Sequence, residues 1–199
     1  MILYLHGFRS SPRSFKARVM QERMTAAGRA GDLICPQLPA SPKAAMDLAL
    51  LLAERHAPHN LSIIGSSLGG FYATWLAERL NVRAVLLNPS VDPLINLEKH
   101  VGVTTNWHSS EPFEFRPEYI DELAELKVAR ITQPERYFLI AATGDEVLDY
   151  RDMVAHYRGA RQHVIEGSDH AISEFPQYVD EVLAFCQPEV DWSRGKTSS

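Results

Sequence analysis

Leu61-Ser62-Ile63-Ile64-Gly65-Ser66-Ser67-Leu68-Gly69-Gly70-Phe71 decides how the whole chain is read. An apolar run of strand character ends at Gly65, a serine stands at Ser67, and Gly69 and Gly70 lead into a helical run over residues 71–80. Gly-x-Ser-x-Gly between a strand and a helix is the pattern of a nucleophile elbow. The backbone of such a turn is strained at the serine, and neighbours without a Cβ let strand and helix approach closely. The bend pushes the Ser67 hydroxyl out of the sheet. It also sets the Leu68 N–H at the positive end of the following helix, where an oxyanion is stabilised. Ser67, not Ser66, holds the central position, with Gly65 and Gly69 as its supports. The competing reading is a tight strand–helix turn that carries serines by chance; the strand before and the helix after weigh against it.

Outward from the elbow, apolar strands alternate with helical runs. Strands are expected at 2–5, 32–36, 61–64, 82–87, 136–142 and 162–165. A helix over 13–27 should turn Phe15, Val19, Met20 and Met24 inward and end at Gly28. Ser41 suits an N-cap and Pro42 the first position of a helix reaching about residue 56. Further helices are expected at 149–157 and 175–186. Most strands are apolar on both faces, which argues a parallel sheet covered on both sides. The stretch 90–134 is different: Trp107, Phe113, Phe115 and Tyr119 stand among polar residues and prolines, with one clear helix over 117–127. It reads as an insertion over the sheet. The fold class is therefore α/β: a minimal α/β-hydrolase fold of about six mostly parallel strands, helices on both faces, and a small cap insertion after the fourth strand. One domain should span 1–186, followed by a polar, frayed tail at 187–199.

The totals exclude several classes. The chain has 199 residues, is 45% hydrophobic, and has a net charge of −5 with no basic block, so nucleic acid is not an expected partner. Eight histidines show no metal-ligand spacing, and neither a metal nor a cofactor is expected. Cys35 and Cys186 read as buried thiols, not a disulfide. No leader and no membrane-length apolar run is visible, so the expectation is a soluble cytoplasmic protein without a membrane partner. Oligomeric state is not legible.

Ligands of such sheets bind beyond the carboxyl ends of the strands. His6, Ser67, Asn88, Asp145 and His170 all follow an expected strand directly or within a few residues. A serine nucleophile needs a base, and the base an orienting acid, in chain order Ser, Asp/Glu, His. His170 follows a late strand, whereas His163 lies inside a strand and His156 inside a helix. For the acid, Asp145 after Thr143-Gly144 is favoured. Glu146 and Asp149 stand close by, Asp149 also suiting a helix cap, and Asp92 after the fourth strand is an alternative. The second oxyanion donor should be the Phe8 N–H, in a loop with Gly7 that His6 braces.

The segments 4–12 (Tyr-Leu-His-Gly-Phe-Arg-Ser-Ser-Pro), 65–74, 143–150 (Thr-Gly-Asp-Glu-Val-Leu-Asp-Tyr) and 164–167 before His170 together resemble the YqiA-type esterases, small bacterial α/β hydrolases. The resemblance covers residues 2 to about 186. It implies a cytoplasmic serine esterase acting on acyl esters or thioesters, with Ser67 as nucleophile, Asp145 as acid and His170 as base. Asp92 departs from the family's basic residue at that place, and a charge there argues for neutral esters over coenzyme A thioesters. Asp92, Trp107, Phe113 and Phe115 are the expected pocket residues, for short to medium acyl chains. Acyl transfer on the same residues, or a binding module of this fold without turnover, are the other functions compatible with the sequence.

Overall fold

Ile2–Leu5 (β1) is apolar and buried at every position, as a strand covered on both faces must be. The computed structural model describes residues 1–97, 100–105 and 112–192. After β1 come α1 (Phe15–Ala26), β2 (Leu33–Ile34), α2 (Pro42–Ala53), β3 (Ser62–Ser66), α3 (Leu68–Leu80) and β4 (Arg83–Leu87). Then follow α4 (Pro93–Leu97), β5 (Gly102–Thr105), β6 (Pro112–Phe115) and α5 (Glu118–Glu125). The chain returns to the sheet with β7 (Tyr137–Ala142), α6 (Tyr150–His156), β8 (Arg161–Ile165) and α7 (Val179–Cys186).

Six strands form one sheet in the order β2-β1-β3-β4-β7-β8. Every pairing within it is parallel. Alternate residues of each strand feed opposite cores. Leu3, Leu5, Ile63, Leu86 and Leu139 pack under α2, α3 and α6 through Ala45, Ala49, Leu76 and Met153. Ile2, Tyr4, Ile64, Val85 and Phe138 pack under α1 and α7 through Met20, Met24, Val182 and Leu183. β2 and β3 flank β1 on opposite sides, so the direction of winding reverses at the β1/β3 boundary. The loop after β1 and the turn after β3 leave the sheet together at that point, where such folds bind ligands.

The expected caps form. Ser41 Oγ accepts the Ala44 N–H at 3.1 Å, with Pro42 opening α2, and Asp149 accepts the Arg151 N–H at 2.9 Å at the start of α6. Three expectations need correction. The insertion holds more than its one expected helix, which forms as α5: α4 precedes it, and β5 and β6 pair as an antiparallel two-stranded sheet. Phe15 is 37% exposed, and Lys16 takes the buried place, in line with Met20 and Met24 at intervals of four. The tail does not fray at 187, because Gln187 and Trp192 are buried and Trp192 joins the core under α1 and α7. Cys35 and Cys186 are both free thiols, Cys186 buried and Cys35 half-buried. No helix among the described residues is long and apolar enough to cross a membrane.

Candidate active site

The bend after β3 is built from close approach. A Cβ on Gly65 would lie 2.2 Å from the Gly69 carbonyl oxygen, and one on Gly69 would lie 2.0 Å from that of Leu5. Only glycine at both positions lets α3 start directly against β3 and β1. Ser67, between them, takes φ 56° and ψ −122°, a conformation that costs a non-glycine residue about 1–3 kcal/mol. The surroundings hold it there: the Ser67 N–H donates to the Leu87 carbonyl at 3.1 Å, and the Ser67 carbonyl accepts from Ser90 at 3.0 Å and Gly70 at 2.8 Å.

Three side chains from three strand ends meet at this bend. Ser67 Oγ lies 3.0 Å from His170 Nε2, and His170 Nδ1 lies 2.8 Å from Asp145 Oδ2. A carboxylate only accepts, so Nδ1 carries the ring proton and Nε2 is left to accept from the Ser67 hydroxyl. Asp145 is fully buried, and its other oxygen accepts the N–H groups of Val147 at 2.8 Å and Leu148 at 2.9 Å. The other acids do other things. Glu146 accepts the His170 N–H at 2.9 Å, Asp149 caps α6, and Asp169 accepts from Ser173. The hydrogen bonds from Ser173 hold the Asp169 carboxyl below its ordinary range.

The loop after β1 closes the other side. A Cβ on Gly7 would come within 3.2 Å of the Ser67 Cβ, so this loop rests on the elbow. His6 is buried; its Nε2 accepts the Leu38 N–H at 3.1 Å, which leaves the proton on Nδ1, 3.0 Å from the Gly7 carbonyl oxygen. That is the expected brace. The Phe8 N–H has no backbone acceptor among the described residues, and the Leu68 N–H, in the first turn of α3, has none within its helix.

A cavity of about 470 Å³ opens beside Ser67, walled by Phe8, Phe15, Leu68, Leu97, Val147 and Leu148. Among the described residues, the insertion contributes to it through Ser90, Pro93, Leu97 and His100 and not through Phe113 or Phe115. Phe115 is core: it is 1% exposed and meets the Phe8 ring edge-on at 5.1 Å. Phe113 also packs edge-on against Phe8 and lines a shallow neighbouring cleft. Trp107 lies outside the described residues. Asp92 does not line the cavity either; it pairs with Lys127 of the insertion at 2.5 Å. The charge expected to repel anions is thus spent on holding the insertion to the end of β4.

Two supports were not legible as such. Asn88 is fully buried at the end of β4; its Nδ2 donates to the carbonyls of Asp169 at 3.0 Å and His170 at 3.2 Å, and its Oδ1 accepts the Ala142 N–H at 2.8 Å. Lys16 Nζ donates to the carbonyls of His170 at 3.3 Å and Ala171 at 2.9 Å. The signal for Lys16 was its spacing of four from Met20 and eight from Met24, which puts it on the buried face of α1. Among the described residues, no group of three or more His, Cys, Asp or Glu side chains is placed to hold a metal ion.

With that geometry in place, the sequence profile of one family, described as "Uncharacterised protein family (UPF0227)", matches residues 1–187. The chain belongs to this family. UPF0227 is the family of the YqiA-type proteins, as the segment resemblance implied. Solved structures agree on the fold. The UPF0227 chain is similar to a candidate hydrolase of Agrobacterium vitis S4 at a TM-score of 0.74 and 17% identity, over 93% of this chain and 87% of that one. It is similar to the mouse α/β hydrolase domain-containing protein 10 at 0.68 and 15% identity, over 92% and 88%. Est1E of Butyrivibrio proteoclasticus, solved with ferulic acid bound, matches at 0.65 and 12% identity, over 94% and 89%. The fold is that of the α/β hydrolases.

Proposed function

We propose that this UPF0227 protein is a serine hydrolase that cleaves acyl esters, thioesters included, through an acyl-enzyme. The observation that carries the reading is the unbroken line Ser67 Oγ, His170 Nε2, His170 Nδ1, Asp145 Oδ2, with links of 3.0 and 2.8 Å, at the mouth of an apolar-walled cavity. His170 takes the Ser67 proton as Oγ attacks the acyl carbon, and returns it to the leaving oxygen or sulfur. Asp145 keeps the imidazole in the tautomer that can accept. The N–H groups of Phe8 and Leu68 receive the oxyanion, and a water deprotonated by His170 releases the acid. The cavity, about 470 Å³ and open to solvent, suits short to medium acyl chains.

A fluorophosphonate probe tests the reading, since it labels a serine only where a base activates it. Labelling of the native chain and its loss in Ser67→Ala, alongside turnover of a panel of acyl esters and thioesters, is the expected result. No labelling and no turnover would leave a fold without this chemistry.

A further inference from the structure

The charges around the cavity are one-sided. The chain carries 25 acidic and 20 basic residues, yet the residues lining the cavity include Arg9, Lys16, His100 and His170 and no Asp or Glu among the described residues. Lys16 is the unusual member. It is buried, and it occupies the first turn of α1, where the helix dipole already presents positive charge. No acidic residue accompanies it in that turn, and the cap residue Ser14 makes no capping bond. Desolvation lowers the Lys16 pKa to about 8 against the pull of Asp145, Asp169 and Glu146. Those three carboxylates are engaged with His170 and Ser173 and do not line the cavity. Two of the three ammonium N–H groups are spent on the carbonyls of His170 and Ala171. The third donor belongs to a buried cation on the wall of a cavity that no carboxylate among the described residues lines.

We infer that the substrate carries a carboxylate, on its acyl or its alcohol half, and that Lys16 at the start of α1 receives it while Ser67 attacks the ester bond. The inference rests on the hydrolase reading above and names its substrate class: half-esters of dicarboxylic acids, or esters of hydroxy acids. A carboxylate beside Lys16 supplies the charge the first turn of α1 lacks, and Tyr4, Ser14 and Ser66 also line the cavity. The apolar residues Phe8, Leu97, Val147 and Leu148 then cover the chain that joins the carboxylate to the ester. With Asp92 paired to Lys127, no carboxylate among the described residues lines the cavity to oppose an anion.

Matched pairs of substrates test this. Monomethyl adipate against methyl heptanoate places the charge on the acyl half; 4-butyryloxybutanoate against hexyl butyrate places it on the alcohol half. The expected result is a kcat/KM at least tenfold higher for the charged member of one pair, and the pair that shows it tells which half carries the carboxylate. Lys16→Met should bring that ratio to near one, and Lys16→Arg should keep part of it. The ratio compares two substrates on one protein, so any harm to the His170 loop from losing Lys16 divides out. A native chain that prefers the neutral member in both pairs overturns the inference and leaves the hydrolase reading standing. A ratio unmoved by Lys16→Met removes Lys16 from it. Where no ester turns over at all, calorimetric titration of the Ser67→Ala chain with each charged ester decides. Binding weakened tenfold or more by Lys16→Met upholds the site, and no binding overturns it.

Discussion

Ser67 pays for its place with a backbone conformation that only its neighbours enforce, and among the described residues its hydroxyl has one partner that can take a proton, His170. Ser67→Ala should therefore lower kcat by about 10⁴- to 10⁶-fold with the fold kept, whereas Ser66→Ala, outside the Ser67–His170–Asp145 line, should leave most of the turnover. Steady-state kinetics beside circular dichroism separates the two. Asp145→Asn should reduce kcat by about 10⁴-fold, because an amide that donates to Nδ1 enforces the wrong tautomer. Asp92→Asn should do little, since Asp92 meets Lys127 and not His170; the reverse ranking would move the acid to the end of β4. Ser67, Asp145 and His170 were legible because each stands in a local pattern: an elbow, a Thr-Gly-Asp turn, a histidine after a late strand. Asn88 was legible as a strand-end residue and Lys16 by its spacing to Met20 and Met24, but neither as a support of the His170 loop, because that loop lies more than 80 residues away in sequence and no local pattern records the contact. Asp92 misled for the same reason: its partner, Lys127, is visible only in three dimensions.

Most strands of the sheet were legible as elements because they are apolar runs followed by a helix; β8, Arg-Gln-His-Val-Ile, is the polar exception at the sheet edge. β5 and β6 were not legible: Gly-Val-Thr-Thr and Pro-Phe-Glu-Phe are four residues each, and among the described residues they pair only with each other, outside the main sheet. How elements are fastened together is likewise a matter of contacts. Glu78 on α3 accepts from Thr132 and from the Tyr137 hydroxyl at the start of β7, and pairs with Arg136 at 3.3 Å. Burial alone would raise its pKa, but the hydrogen bonds from Thr132 and Tyr137 and the Arg136 charge outweigh that and hold it below the ordinary value. A carboxyl depressed in the folded state stabilises above its unfolded pKa, and the stabilisation is lost as pH falls through the folded one. Glu78→Gln should therefore lower stability at pH 7 by about 1–3 kcal/mol, and the gap to the native chain should close on acidification below about pH 4. Urea unfolding of both chains at pH 7, 5 and 3.5 measures it; a gap that is constant across that range would mean the carboxylate charge contributes nothing.

For the molecule as a whole, the winding of the sheet places the site. Reversal at the β1/β3 boundary brings the Gly7–Phe8 loop and the elbow to the same edge, and β7 and β8 extend that edge to bring in Asp145 and His170. The two cores on either side of the sheet are unequal in their cover. The one under α2, α3 and α6 also receives residues of the insertion, among them Phe115, Leu123 and Leu126. The other has α1 and α7, and its remaining side is closed by Trp192, 5% exposed. Arg23 of α1 ties that closure together: it pairs with Asp180 of α7 at 2.6 Å, donates to the Trp192 carbonyl, and lies 5.7 Å from the centre of the Trp192 ring. A polar stretch with one tryptophan gives no periodic signal, which is why the segment reads as a frayed tail until its contacts are seen. Trp192→Ala should remove a buried ring at a cost of about 3 kcal/mol, the lower end for such truncations because the site is at the margin of the core. For a chain of this size that is a fall in Tm of about 6–12 °C. Deleting residues 188–199 should cost at least as much as the point substitution, since it also removes Val190 from that core. Fluorophosphonate labelling well below the transition should be unaffected, because Ser67 follows the carboxyl end of β3, whereas the end of α7 meets Ser62 at its start. A Tm within 2 °C of the native value in both variants would show that α1 and α7 close the core without the tail.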